Sequence, residues 1–193
     1  MTTSPHTIRD ATKQDASSIA RLHTESWKIV YRGILPDTYL DNDLEAERIE
    51  HWQDKMNNLP SLDRVWVAET DGAIIGFIAI WLVEPGGPEA LVCNLHVSPR
   101  HKGQGIGKAL LASAAKWMIT GSKTSCYLYV YDANLPAIRF YEKMGGQPDG
   151  KYIYNIAGIP IPETIFRWTD LEALADYNFP TPTPQHSAAY KND

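Results

Sequence analysis

Residues 100–111, RHKGQGIGKALL, carry glycine at 103, 105 and 107, with Lys102 and Lys108 alongside, directly before a run rich in alanine and leucine. Glycine loses more backbone freedom on folding than any other residue, so three in five positions mark a backbone that something must approach closely. The first turn of a helix offers unpaired N–H groups and the positive end of the helix dipole, and both attract phosphate or carboxylate. The loop reads as an anion cradle.

Spacing rejects two familiar cradles. A Walker loop needs four residues between its glycines and Ser or Thr after its lysine, whereas three residues separate Gly103 from Gly107 and Ala109 follows Lys108. A dinucleotide fingerprint needs glycine where Lys108 stands, and it belongs in a parallel βαβ sheet.

The elements around the loop follow from periodicity. Residues 6–10 read as a first strand, and Thr12 with Asp15 as a capping box opening a helix to about residue 30, whose apolar stripe includes Ile19, Leu22, Ile29 and Val30. Gly33 and Pro36 end it. A second helix is expected within 38–56, carrying Leu40, Leu44, Ile49 and Trp52, with Asp41, Asp43, Glu45, Glu47 and Glu50 as a solvated face. From Val65 the period becomes two: VWVAE and AIIGFIAIWLV flank an Asp71-Gly72 turn, and ALVCNLHV at 90–97 follows the loop EPGGPE, giving an antiparallel meander.

After Pro99 and the glycines, Ile106, Leu110, Ala114 and Trp117 mark a helix to about residue 120. SCYLYVY at 125–131 is the next strand. DANLP opens a further helix with Asn134 as its cap and Gly145 as its stop, and KYIYNI and ETIFRW read as closing strands joined by AGIPIP. One domain is expected over 1–177, with a flexible Pro-rich tail at 178–193.

Composition removes several classes of function. A net charge of -5 argues against a general nucleic-acid binder, although Arg100, Lys102 and Lys108 make a local basic patch. No apolar run approaches the roughly 20 residues that span a bilayer, and MTTSPHTIRD lacks the apolar core of a signal peptide, so a cytoplasmic protein without membrane partners is expected. Cys93 and Cys126 sit in apolar strands and read as buried small residues, and the six histidines have no metal-ligand spacing, so no metal is expected.

Two stretches together resemble the GNAT superfamily of acyl-CoA-dependent N-acetyltransferases. That family has a strand ending Leu-x-Val, a proline turn, and Arg/Gln-x-x-Gly-x-Gly/Ala; Leu95, Val97, Pro99, Gly103, Gly105 and Gly107 match it, with Lys102 where Arg or Gln is usual. NLPAIRFYEKMGG at 134–146 is similar to its Asn-x-x-Ala-x-x-Phe-Tyr-x-Lys-x-Gly-Phe helix, except that Gly146 replaces the final aromatic. The likeness runs from about residue 6 to 168.

The resemblance implies an α/β (α+β) fold: a mixed, mostly antiparallel sheet of about six to seven strands, flanked by helices, with a splayed strand pair that binds coenzyme A. It implies acetyl-CoA as cosubstrate, held by the main chain of Leu95 and Val97, by the loop of Lys102, Gly103, Gln104, Gly105, Ile106, Gly107 and Lys108, and by Asn134, which also serves as a helix cap. It implies Val97 N–H as oxyanion donor and Tyr141 as proton donor to the leaving sulfur. The reaction is acetyl transfer to a primary amine by direct attack, the alternative being a non-catalytic acyl-CoA sensor on the same fold.

A small-molecule or peptide amine is the implied acceptor. WKIVYRGILP resembles the acceptor-binding stretch, so Trp27 and Tyr31, four apart on one helix face, are candidates there, as are Asn94 and His96; core packing is the alternative for the two aromatics. The strand at 90–97 contains no Asp or Glu, so Glu25, Glu84, Asn94 and His96 are the candidate bases. A homodimer is the assembly that the relationship implies.

Overall fold

A computed structural model of the chain describes residues 6–60, 63–82, 84, 87–156 and 158–176. The expected tail at 178–193 lies outside the described residues, as do residues 85 and 86 of the expected EPGGPE loop.

Seven strands form one sheet: β1 (Thr7–Asp10), β2 (Arg64–Thr70), β3 (Ala73–Trp81), β4 (Glu89–Val97), β5 (Ser125–Tyr131), β6 (Gln147–Ile156) and β7 (Ile159–Trp168), ordered β1-β2-β3-β4-β5-β7-β6. Only β4 and β5 run parallel; every other neighbouring pair is antiparallel. Among the described residues five α-helices flank the sheet: α1 (Ala16–Val30), α2 (Leu44–Asn57), α3 (Ile106–Thr120), α4 (Leu135–Lys143) and α5 (Leu171–Ala175).

The apolar stripes predict which face each helix covers. Ile19 and Leu22 of α1 and Trp52 and Met56 of α2 bury Val65, Val67, Phe77 and Ala79 on one side of the sheet. Leu110, Leu111 and Met118 of α3 and Leu171 and Leu174 of α5 bury Ile78, Ile80, Cys126 and Leu128 on the other. Each fully buried Leu or Ile contributes about 1.5–3 kcal/mol of transfer free energy, so this second layer anchors the strands on which the glycine loop depends. Gly76 permits the closeness: a Cβ there would stand 3.1 Å from Ile106 Cγ2 and 3.2 Å from Leu110 Cδ1.

The Thr12–Asp15 cap forms as read, with a 3₁₀ turn at Lys13–Asp15 leading into α1. The Thr12 N–H donates to Asp15 Oδ2 at 2.7 Å, and Arg9 donates to both Asp15 oxygens and to Glu69. The Arg9 guanidinium holds the Asp15 carboxyl down at about 2.

Two boundaries and one burial differ from the sequence reading. A π turn at Tyr39–Asp43 precedes α2, and Leu40 and Leu44, four residues apart, are both buried. The stretch read as the AGIPIP connection is mostly strand: β6 and β7 pair up to Ile156↔Ile159, with Gly158 at φ 81° in the turn. Cys93 is exposed rather than buried, for a reason that also shapes the site.

Candidate active site

β4 carries a bulge. Ile80 pairs with Val92 and Ala79 with Asn94, so Cys93 has no partner on β3 and turns toward solvent. The extra residue reverses the parity of everything after it. Ala90 and Val92 face the α3 layer before the bulge, and Leu95 and Val97 face it afterwards. Asn94 and His96 stand beside Ala79 and Phe77 on the α1 face. An apolar spacing of 90, 92, 95, 97 carries this signal in the sequence.

The bulge also opens the sheet. β4 and β5 pair only at Glu89↔Ser125, Ala90↔Cys126 and Leu91↔Tyr127, so the last six residues of β4 have no ladder on that side. The Ser98 N–H donates to Ile75 O at 2.8 Å and His96 O lies against Gly76, so both groups point toward β3. Backbone groups alternate along a strand, hence the N–H and C=O of Leu95 and Val97 point into the gap. The structure thus brings those two residues together on an open strand edge.

The glycine loop sits at the end of that edge. Pro99–His101 make one 3₁₀ turn, after which Gly103 and Gly105 take φ of 78° and 81°, in the left-handed region that favours glycine. Gly105 caps α3, and the first intrahelical bond runs from Ala109 N–H to Gly105 O. The N–H groups of Gly105, Ile106 and Gly107 therefore have no acceptor within the helix. Gly107 is set close to the strand, where a Cβ would lie 3.5 Å from Val97 Cγ2 and from Phe140 Cζ. Lys102 and Gln104 are exposed beside the loop, and the Lys102 charge is near enough to bear on His96.

Across the gap, Asn134 caps α4 by accepting from Ala137 N–H at 3.3 Å. Tyr141 is buried and its hydroxyl makes no hydrogen bond with a described residue; burial pushes its pKa up and keeps it protonated at neutral pH. Its neighbours are Phe140, Phe166 and Trp168. Trp168 explains Gly146. Its indole lies where a Cβ on residue 146 would stand 2.6 Å from Cζ2, and its Nε1–H donates to Met144 O at 2.9 Å. An aromatic from β7 thus fills the place left by the substitution after the helix.

On the α1 face, His23, Trp27 and Tyr31 form a ring stripe at four-residue spacing. Ring centroids step from His96 to His23 (4.6 Å), to Trp27 (5.4 Å), to Tyr31 (4.9 Å) and on to Tyr131 at the end of β5 (5.6 Å). This arch bridges the two strands whose ladder has parted. Trp27 is half-buried under the Arg48 guanidinium, 4.8 Å from the ring centroid, and Tyr31 is buried. The Trp52 Nε1–H donates to His23 Nδ1 at 3.0 Å, which puts the His23 proton on Nε2, a buried atom without a partner. His23 is neutral because burial lowers its pKa well below the usual value.

The candidate bases separate. Glu84 follows β3 at the end of the hairpin opposite Val97, roughly 25 Å away along nine residues of β4, so the antiparallel connection removes it from the site. Glu25 is exposed on α1 and lines a groove with Ser98 and Ala73. Burial, followed by the Lys102 charge, pushes His96 down to about 4. Taking a proton from an amine of pKa about 10.4 would cost His96 about 9 kcal/mol, so it serves as a wall rather than as a base.

Sequence reading did not single out His23, Tyr131 or Glu163 as site residues. His23 was legible as the residue four before Trp27. Glu163 was legible as a carboxylate between Ile161 and Ile165 on the inward parity of β7. Among the described residues no group of three or more His, Cys, Asp or Glu could hold a metal, and no helix is long and apolar enough to cross a membrane.

Comparison with known proteins agrees with this geometry. Residues 20–146 match the Acetyltransferase (GNAT) family. The chain is 29% identical over 171 residues to the uncharacterised N-acetyltransferase YuaI of Bacillus subtilis, covering 87% of this chain and 95% of that protein. It is 29% identical over 144 residues to the spermidine N(1)-acetyltransferase of Thermoplasma acidophilum, covering 72% and 86% of the two. The crystal structure of the PaiA N-acetyltransferase from Thermoplasma acidophilum in complex with coenzyme A superposes with a TM-score of 0.65 at 24% identity, covering 83% of this chain and 98% of that one.

Proposed function

The chain belongs to the acetyltransferase (GNAT) family, and from that membership we propose that it moves an acetyl group from acetyl-CoA to a primary amine. The observation that carries the reading is the open edge of β4 beyond Leu91, ending in a helix start where the N–H groups of Gly105, Ile106 and Gly107 precede the first intrahelical bond. An extended arm with amide groups fits the first, and a diphosphate fits the second. The neighbour named with coenzyme A and the relative named for spermidine support the two substrates.

Bound acetyl-CoA supplies an acetyl group activated as a thioester. Leu95 and Val97 hold the arm through main chain. Gly103, Gly105, Ile106, Gly107 and Lys108 hold the diphosphate, with Lys102, Gln104 and Asn134 at its margin. The Val97 N–H donates to the acetyl carbonyl oxygen, which matters most as negative charge gathers there. The Tyr141 hydroxyl keeps its proton until the sulfur departs. Thiol and phenol pKa values near 8.5 and 10 make that transfer uphill by about 2 kcal/mol, and the burial of Tyr141 adds to the cost, so positioning must offset it. The arch of His96, His23, Trp27 and Tyr31 excludes water from the acceptor side, and Asn94 offers an amide on the same face.

Release of free coenzyme A on mixing the protein with acetyl-CoA and a panel of primary amines tests the proposal. Turnover with an amine supports it. Tight acetyl-CoA binding without turnover on any amine would favour the sensor reading.

A further inference from the structure

Glu163 is 9% exposed on β7, yet its carboxylate has no hydrogen bond or ion pair with any described residue. A carboxylate on so little-exposed a residue is costly without a counter-ion unless something else supplies the charge. Glu163 pairs across the sheet with Tyr131 on β5 and Tyr152 on β6, so all three face the α1 side. Ile161, two residues earlier and on the same face, packs in one cluster with Trp27, Tyr31 and Tyr131.

The other charged groups nearby do not neutralise it. Asp132 adds a like charge that, after burial, raises the Glu163 pKa. Lys151 is committed to Asp132 and Thr164, and both Lys151 and Thr164 belong to the opposite parity of their strands. Burial, followed by the charge of Glu163, raises the Tyr31 pKa, so the carboxylate lies within electrostatic reach of the ring.

From these relations we infer that Glu163, with the rings of Tyr31 and Tyr131, forms a subsite for a second ammonium group of the acceptor, which is an aliphatic diamine or polyamine. The inference rests on the transferase reading above. Parallel register carried from Leu91↔Tyr127 past the one-residue bulge brings His96 level with Tyr131, so the subsite lies at the depth of the Val97 amide. It stands on the second strand over from β4, about two strand spacings or 10 Å away before the splay is counted. One nitrogen cannot serve both places. An acceptor reaching both needs an aliphatic stem, for which the Tyr31 and Tyr131 rings supply an apolar wall, while their π faces favour a cation.

The test compares 1,4-diaminobutane with n-butylamine, using acetyl-CoA as donor, in the wild-type chain and in Glu163→Gln. Expected is a preference of at least about tenfold in kcat/KM for the diamine, lost in E163Q through a rise in KM, with butylamine turnover within about twofold of wild type. The acetyl-CoA-induced rise in Tm stays unchanged in E163Q. Equal loss on both amines would make Glu163 a group acting on the reacting nitrogen and overturn the subsite, and so would an unchanged preference. A second measurement does not depend on turnover: 1,4-diaminobutane alone raises the Tm of the wild type and not that of E163Q. That shift without acetylation of either amine would leave the ammonium site standing and remove the transferase reading; acetylation without the shift or the preference would do the reverse.

Discussion

The Trp168 indole lies on Gly146, so close that a single added carbon at residue 146 would meet Cζ2 at 2.6 Å. The pair joins the end of α4 to the end of β7, and through the edge-on contact of Trp168 with Tyr141, at 5.9 Å, it sets the wall behind the proposed proton donor. Gly146→Ala should therefore destabilise the fold by about 1–3 kcal/mol, the usual cost of overpacking. Urea denaturation measures it. The cost should shrink when Trp168→Leu is present as well, and strict additivity would show that the contact is not the cause.

Gly105 holds φ of 81° at the start of α3. Gly105→Val forces a β-branched residue into the left-handed region at a cost of about 1–2 kcal/mol, which a fold of this size tolerates. It also places a side chain where the loop N–H groups must be approached. The expected result is a folded protein whose Tm no longer rises with acetyl-CoA, whereas wild type gains about 2.7 kcal/mol at 100 times its dissociation constant. An undiminished shift would refute the loop assignment.

Tyr141→Phe removes one hydroxyl from a buried ring and leaves the packing with Phe166 and Trp168 in place. Turnover should fall by about 10²–10⁴-fold while acetyl-CoA binding persists, as expected for a lost proton donor. Burial raises the Tyr141 pKa, so the wild-type hydroxyl stays protonated through pH 10. The alkaline limb of the rate profile should accordingly show no loss from this group below that pH. Equal turnover in the variant would remove Tyr141 from the mechanism.

His96 should leave a signature in acid stability. In the fold its pKa is pushed down to about 4 from the ordinary 6.5, so between those values the unfolded chain binds the extra proton. The contribution of neutral His96 is fully present above pH 6.5 and is lost as pH falls toward 4. His96→Phe, which keeps an aromatic ring beside Phe77, should flatten the stability-against-pH curve across that window. A parallel curve, merely offset, would show that His96 does not titrate as described.

Much of the site was legible in the chain because it is written in local pattern. Gly103, Gly105 and Lys108 announce a helix start whose backbone stays bare, and the structure gives Gly105 the positive φ that a tight start needs. Asn134 and Pro136 announce the next helix, and the cap forms. The Cys93 reading failed because membership of an apolar strand was taken to mean burial; one unpaired residue at the bulge turns its side chain to solvent. Glu84 failed as a candidate because proximity in sequence says nothing of which end of a hairpin a residue occupies.

What the sequence determined by itself was the order and type of the elements and the family to which they belong, since hydrophobic period, caps and glycine spacing act within a few residues of one another. Tertiary structure alone decided the parting of β4 from β5, the arch of rings from His96 to Tyr131, the indole that takes the room left by Gly146, and the isolation of Glu163. Each of those depends on side chains far apart in the chain competing for one volume or one partner, and the free energy of such contacts exists only once the sheet has brought them together.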